Sequence, residues 1–251
     1  MATFERDGVT IAYDVLGEGK PVLLLHGFAS TRIDNWRRTG WYDALLKSGR
    51  QVIAMDLRGH GESSRSHDPA CYGMDAHVAD VIALLDHLKI DRCEVIGFSM
   101  GAGIAMRLAA AHGDRVKLLV LIGVGGASLK RSSNGDALAK ALRAESADAI
   151  EHEMARGFWL YAEKLEQDRE ALAAFVRAPR EAHEIADIVA GIKTETLVVA
   201  GSRDDLAGNP AELAALMPDA RSEIVPGADH MFVLPHPVLK GIVMDFLEGI
   251  F

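Results

Sequence analysis

The pentapeptide Gly97-Phe98-Ser99-Met100-Gly101 sets a hydroxyl between two glycines, directly after the apolar run Glu94-Val95-Ile96 and directly before a helical stretch at 102–111. A tight strand-to-helix turn that holds a non-glycine residue in a strained backbone conformation needs small flanking residues, so that neighbouring backbone can approach closely. Such a turn exposes the Ser99 hydroxyl above a sheet, at a helix N-terminus whose unpaired N–H groups favour developing negative charge. The chemistry that fits is nucleophilic attack on an acyl carbon. A glycine-rich turn with an incidental serine would share the five letters without the strand before and the helix after.

Serine needs a neighbouring base, usually histidine, which needs a third group to fix its tautomer and stabilise its cation. Of the ten histidines, His230 follows the turn Pro226-Gly227-Ala228-Asp229 and precedes the terminal helix, so it is presented on a loop. His236, in Pro235-His236-Pro237, is the fallback. His77 and His87 belong to a helix, His112 to a helix end, and His152 and His183 to an Ala-, Glu- and Arg-rich region; all read as surface or capping residues. The loop Gly201-Ser202-Arg203-Asp204-Asp205 offers two adjacent carboxylates, of which only one can serve because neighbouring side chains point differently. The stretch 121–126 contains no carboxylate. In a hydrolase of this architecture, the loop after an earlier strand donates one backbone N–H to the oxyanion and the residue after the nucleophile donates the other. Here Leu23-Leu24-Leu25-His26-Gly27-Phe28 makes Phe28 and Met100 the candidates, each donor worth about 3 kcal/mol of barrier. His26 reads as a turn residue that stabilises the loop.

The elements that must hold these groups alternate along the chain. Apolar runs at 22–26, 51–55, 93–96, 118–122, 197–200 and 222–225 read as parallel strands buried on both faces. Two earlier runs, 3–6 and 10–15, flank Asp7-Gly8 and read as an antiparallel hairpin at the sheet edge. Over 74–88, Val78, Val81, Ile82, Leu85 and Leu88 recur three or four apart and form the stripe of a helix lying on the sheet. This is an α/β chain with helices on both faces of a mostly parallel sheet. Between 126 and 191 the strand rhythm stops and helical stretches follow one another, broken at Asn134-Gly135 and Pro179, as in a helical insertion. It divides the chain into 1–125, 126–191 and 192–251. Phe158 and Trp159, within the insertion, are the candidates for lining a substrate pocket, although aromatics at such spacing also serve as core.

Composition excludes several classes. The chain has 251 residues, 49% apolar and 25% charged, with a net charge of −9, which argues against a nucleic-acid surface. Lys130-Arg131, a compact basic cluster, reads as solvated surface. Two cysteines in so long a chain fit a reducing compartment, and the absence of a basic-then-apolar leader or a long apolar run points to a soluble, cytoplasmic protein with no membrane span. Gly123-Val124-Gly125-Gly126 lacks a dinucleotide fingerprint, Gly17-Glu18-Gly19-Lys20 lacks phosphate-loop spacing, and His152-Glu153 lacks a second histidine for zinc. No metal and no cofactor are expected. Oligomeric state is left open.

Taken together, His26-Gly27, Asp56-Leu57-Arg58-Gly59-His60-Gly61-Glu62-Ser63, Gly97-Phe98-Ser99-Met100-Gly101, Gly201-Ser202-Arg203-Asp204 and Gly227-Ala228-Asp229-His230 resemble the α/β-hydrolase superfamily over nearly the whole chain. The order Ser, Asp, His is also that superfamily's order. The resemblance implies an eight-stranded, mostly parallel sheet with a helical cap inserted after strand 6, where 126–191 falls. It also favours Asp204 over Asp205 and makes 56–63 a structural turn in which His60 is not catalytic. Within the superfamily a serine at this position resembles esterases, lipases, carbon–carbon hydrolases and cofactor-free perhydrolases, whereas dehalogenases and epoxide hydrolases place aspartate there. The expected activity is cleavage of a small carboxylic ester through an acyl-enzyme at Ser99, His230 and Asp204. The alternatives are carbon–carbon hydrolysis or peroxide formation at the same serine, and a hydrolase-like binding protein with vestigial turnover.

Overall fold

A computed structural model describes residues 1–129, 135–179 and 185–250. Its strands are β1 (Ala2–Arg6), β2 (Val9–Leu16), β3 (Lys20–Leu25), β4 (Arg50–Met55), β5 (Cys93–Phe98), β6 (Val116–Ile122), β7 (Thr196–Gly201) and β8 (Ala220–Val225). They form one sheet in the order β1-β2-β4-β3-β5-β6-β7-β8. The β1–β2 and β2–β4 pairs are antiparallel and every other pair is parallel. The helices are α1 (Trp41–Lys47), α2 (Met74–His87), α3 (Met100–Ala111), α4 (Gly135–Leu142), α5 (Glu153–Lys164), α6 (Arg169–Val176), α7 (Ile185–Ala190), α8 (Pro210–Ala214) and α9 (Pro237–Leu247).

The central strands are apolar without alternation because each face has its own cover. Leu23, Leu25, Ile53, Met55, Val95, Leu119 and Val198 join α2, α3, α7 and α8 in one core. Val22, Leu24, Val52, Ala54, Ile96, Val120 and Val199 join α1 and α9 in the other. Alternate side chains along each strand thus feed opposite layers. The chain leaves β3 toward β4 and leaves β5 toward β6, although β3 and β5 are neighbours. Loops diverging from adjacent strand ends open a crevice at the carboxyl edge, where ligands bind in open α/β sheets. Ser99 follows β5 and Phe28 follows β3, one on each side of it.

Several expectations need correction. The run 222–225 is not buried on both faces: β8 is the edge strand, Ser222 and Glu223 are half-buried and Ile224 is exposed. On α2 the buried stripe is His77, Val78, Val81, Leu84 and Leu85, while Ile82 and Leu88 are only partly covered. His77 is therefore not a surface residue: it is fully buried, with its ring against those of Tyr72 and Phe175. Lys130, Arg131, Asn134 and His183 lie outside the described residues.

Helices α4, α5 and α6 pack on one another over the crevice through Ala139, Leu142, Ala162, Leu172 and Ala173, a core separate from those flanking the sheet. The later helix α7 packs on α3, with Val189 in the sheet's own core. Among the described residues no helix is long and apolar enough to cross a membrane.

Candidate active site

Ser99 sits between β5 and α3 with φ 52° and ψ −112°, a conformation that costs a residue with a side chain about 1–3 kcal/mol. The surrounding packing over-determines it. The Ser99 N–H donates to the Ile122 carbonyl at 2.8 Å, and the Ser99 carbonyl accepts from the Gly103 N–H at 3.1 Å. A β-carbon on Gly101 would lie 2.1 Å from the Leu25 carbonyl oxygen, and one on Gly97 would lie 2.5 Å from the Gly101 carbonyl oxygen. Gly101 therefore lets the turn press against β3, and Gly97 lets β5 fold back on the start of α3.

The imidazole of His230 joins the serine to a carboxylate. Its Nε2 is 2.9 Å from Ser99 Oγ, and its Nδ1 is 2.9 and 3.0 Å from the two oxygens of Asp204. A carboxylate only accepts, so Nδ1 carries the proton and Nε2 presents its lone pair to the hydroxyl. Asp204 and His230 are both buried. The Asp204 carboxylate also accepts the Ala207 N–H at 2.9 Å. The loops carrying the two groups are stitched together, with Arg203 N–H donating to the Ala228 carbonyl at 2.9 Å and Gly227 N–H to Ser202 Oγ at 2.8 Å. The Phe98 ring lies 5.1 Å from the His230 ring, and Gly123 leaves the space that both occupy. Asp205 is exposed, and His236 caps α9 by accepting the Val238 N–H at 3.3 Å.

Phe28 and Met100 flank the hydroxyl. Met100 is the first residue of α3, so its N–H has no partner within the helix. Phe28 lies in a turn closed by Ser30 N–H on the Gly27 carbonyl at 3.3 Å, with Ala29 at φ 57°. Asn35 Oδ1 accepts the Gly27 N–H at 2.8 Å and fixes the turn from below. His26 holds the same turn: its Nε2 accepts the Leu57 N–H at 3.0 Å, so its Nδ1–H donates to the Gly27 carbonyl at 2.8 Å. Burial pushes the His26 imidazole down to about 4, which keeps it neutral. His60 stacks edge-on against it, and burial pushes its imidazole down to about 3. The Asp56 carboxylate closes the 56–63 turn by accepting the Arg32 and Glu62 N–H groups at 2.8 and 2.9 Å.

A cavity of about 30 Å³ lies over Ser99 and His230, walled by Phe28, Phe98 and Phe158 and by the polar side chains of Ser30, Asn35 and Tyr161. That is the space of about one water. Trp159 is not there: its Nε1–H donates to the Ala144 carbonyl at 3.0 Å, Arg169 stacks on its ring, and it packs inside the α4–α6 group. Tyr161 and Phe158 are three apart on α5 and share its inner face, whereas Trp159 turns away. That helical spacing would have led from Phe158 to Tyr161. Nothing local to Ser30 or Asn35 marks them. A groove of about 840 Å³ beside α2 and α3 contains none of these residues. Among the described residues no group of three His, Cys, Asp or Glu side chains is arranged to hold a metal.

Residues 20–186 match the family model described as alpha/beta hydrolase fold, and the chain belongs to this family of enzymes. It is 31% identical over 237 residues to the dihydrolipoyllysine-residue acetyltransferase component of the acetoin cleaving system of Pseudomonas putida, covering 87% of this chain and 61% of that protein. It is 40% identical over 124 residues to 2-hydroxymuconate semialdehyde hydrolase of Pseudomonas sp. (strain CF600), covering 49% of this chain and 42% of that protein. The chain thus spans less than two thirds of these curated relatives. Among solved structures, a hydrolase from Pseudomonas aeruginosa PA01 superimposes with a TM-score of 0.82 at 26% identity, covering 98% of this chain and 97% of that one. The enol-lactonase from Burkholderia xenovorans LB400 superimposes with a TM-score of 0.75 at 28% identity, covering 98% and 100%.

Proposed function

We propose that the protein is a serine hydrolase that cleaves small carboxylic esters through an acyl-enzyme. The observation that carries this reading is the 2.9 Å contact of His230 Nε2 with Ser99 Oγ, made by an imidazole whose other nitrogen is bound to Asp204. His230 removes the Ser99 proton as Oγ attacks the ester carbonyl, and Asp204 stabilises the imidazolium. The N–H groups of Phe28 and Met100 receive the oxyanion. Collapse of the tetrahedral adduct expels the alkoxide, which takes the proton from His230 Nε2. Water then enters, gives a proton to His230 and attacks the acyl carbon; collapse returns the proton to Ser99 Oγ and releases the acid. In this reading 126–191 is a cap, and the acyl group enters by displacing the water-sized space and turning Phe158 away from Phe28, whose rings now meet edge-on at 5.4 Å.

The enol-lactonase similarity, over nearly the full length of both chains, favours an ester-type bond. The 40% identity to a semialdehyde hydrolase over half the chain favours a second reading, carbon–carbon hydrolysis at the same serine. An acidic chain with two free cysteines is also read as cytoplasmic and as acting on a small molecule. The test is steady-state turnover of p-nitrophenyl acetate against a vinylogous 1,5-diketone. Wild-type enzyme should prefer the ester, and Ser99→Ala should lose about 10⁶-fold in kcat. Preference for the diketone would select the second reading, and an unchanged rate in Ser99→Ala would remove both.

A further inference from the structure

Tyr161 is carried by α5, yet its hydroxyl is bonded to Ser30 of the loop after β3, and its side chain lines the cavity over Ser99. Its Oη is 3.0 Å from Ser30 Oγ. Asn35 lines the same cavity. Asn35 Oδ1 accepts the Gly27 N–H and makes no bond to the Tyr161 hydroxyl. Burial pushes the Tyr161 phenol above its ordinary value, so it remains a neutral O–H. Tyr161 and Ser30 therefore hold two hydroxyl protons. One is spent between them, and no other acceptor among the described residues bonds either hydroxyl. The second proton is free to point into the cavity that both side chains line.

Resting on the ester reading, the position of this donor bears on one half of the substrate. His230 must reach the leaving oxygen, so the alcohol half departs past His230 and its exposed neighbour Met231. The lining that remains, Phe28, Ser30, Phe158 and Tyr161, surrounds the acyl chain. We propose that the Tyr161–Ser30 hydroxyl pair is a subsite that reads a hydrogen-bond acceptor in the acyl half, selecting short acyl groups with an ether or keto oxygen beside the scissile carbonyl over their all-carbon counterparts. An acceptor there satisfies the free proton. A methylene in the same place displaces water and leaves the proton unpaired, and one such neutral hydrogen bond corresponds to about tenfold in rate.

The experiment compares kcat/KM for p-nitrophenyl methoxyacetate and p-nitrophenyl butyrate, which differ by one oxygen in place of one methylene, each divided by its hydroxide-catalysed rate. Wild-type enzyme should favour the methoxyacetyl ester about tenfold, and the double variant Tyr161→Phe/Ser30→Ala should bring the corrected ratio of the two esters to about one. Moving the oxygen to the alcohol half, with 2-methoxyethyl acetate against butyl acetate, should give a ratio that the double variant leaves unchanged. An equal corrected ratio in wild type and variant overturns the proposal, as does a dependence that follows the alcohol half. If the double variant fails to fold, the wild-type ratio decides alone, because no corrected preference for the ether overturns it. If wild-type enzyme turns over neither ester, the ester reading falls and the subsite is judged by binding. Ser99→Ala should then hold methyl methoxyacetate about tenfold tighter than methyl butyrate by ligand-observed NMR, and equal affinities overturn the subsite.

Discussion

Replacing Asp204 by asparagine changes one atom and removes one charge, and the geometry says which orientation the amide must take. Asp204 Oδ1 accepts both the Ala207 N–H at 2.9 Å and His230 Nδ1 at 3.0 Å, while Oδ2 contacts only Nδ1, at 2.9 Å. If the asparagine oxygen stays on the Ala207 N–H, its NH2 faces Nδ1. Histidine must then put its proton on Nε2, and the nitrogen facing Ser99 ceases to be a base. If the amide flips, the tautomer is restored but two donors meet at Ala207, leaving a buried N–H unsatisfied at about 1–3 kcal/mol. In either orientation the imidazolium loses a charge-assisted hydrogen bond, a further ~1.5–3 kcal/mol. Asp204→Asn should therefore lose about 10²–10⁴ in kcat, with KM little changed, because the lost interaction matters after proton transfer. Steady-state hydrolysis of p-nitrophenyl acetate, with thermal melting as the check on folding, measures it. A folded variant that keeps kcat within tenfold of wild type would refute the assigned role of the carboxylate.

Stability should fall in acid. His26 and His60 have folded values near 4 and 3 against 6.5 for the ordinary imidazole, and burial lowers His77 in the same direction. Below pH 6.5 the unfolded chain binds protons that the folded one refuses, so this stability is present above pH 6.5 and is lost as pH falls toward 4. Between pH 7.5 and 5.5 His26 and His60 should each cost about 1.3 kcal/mol in urea unfolding. Both His77 ring nitrogens are buried without a partner, so His77→Leu should reduce the pH dependence by about one proton; an identical slope would contradict it. Glu94→Ala should cost about 3 kcal/mol by leaving the Arg50 guanidinium, buried 2.6 Å from the Glu94 carboxylate, without its main partner. The melting point should drop by about 6–12 °C. Residual activity per folded molecule should match wild type, because this pair lies at the opposite strand ends from Ser99.

What was legible in the chain was what local pattern encodes. Strands buried on both faces are apolar without interruption, so β3 to β7 declared themselves to within a residue or two at each end. Glycine spacing around Ser99 pointed to the turn, because the close approach to Leu25 tolerates nothing larger. Errors arose where the partner is distant in sequence. The run 222–225 resembled the inner strands, but only its place at the sheet edge decides that one side stays open. His77 looked polar and therefore external, yet Phe175 of α6 closes over it at 5.4 Å, a contact between residues about a hundred apart. Trp159 and Phe158 are neighbours in the chain and part company on the helix. Ser30, Asn35 and Tyr161 carry no joint signature, since the hydroxyl pair forms across 131 residues.

The central claim is that the Ser99 oxygen is the atom that attacks, and a covalent trap addresses it without assuming any substrate. Intact protein treated with a fluorophosphonate should gain one phosphonyl group, peptide mapping should locate it on Ser99, and His230→Ala should slow its formation by about 10³-fold or more. Labelling of Ser99→Ala at the wild-type rate, or an adduct mapped to any other residue, would contradict the claim.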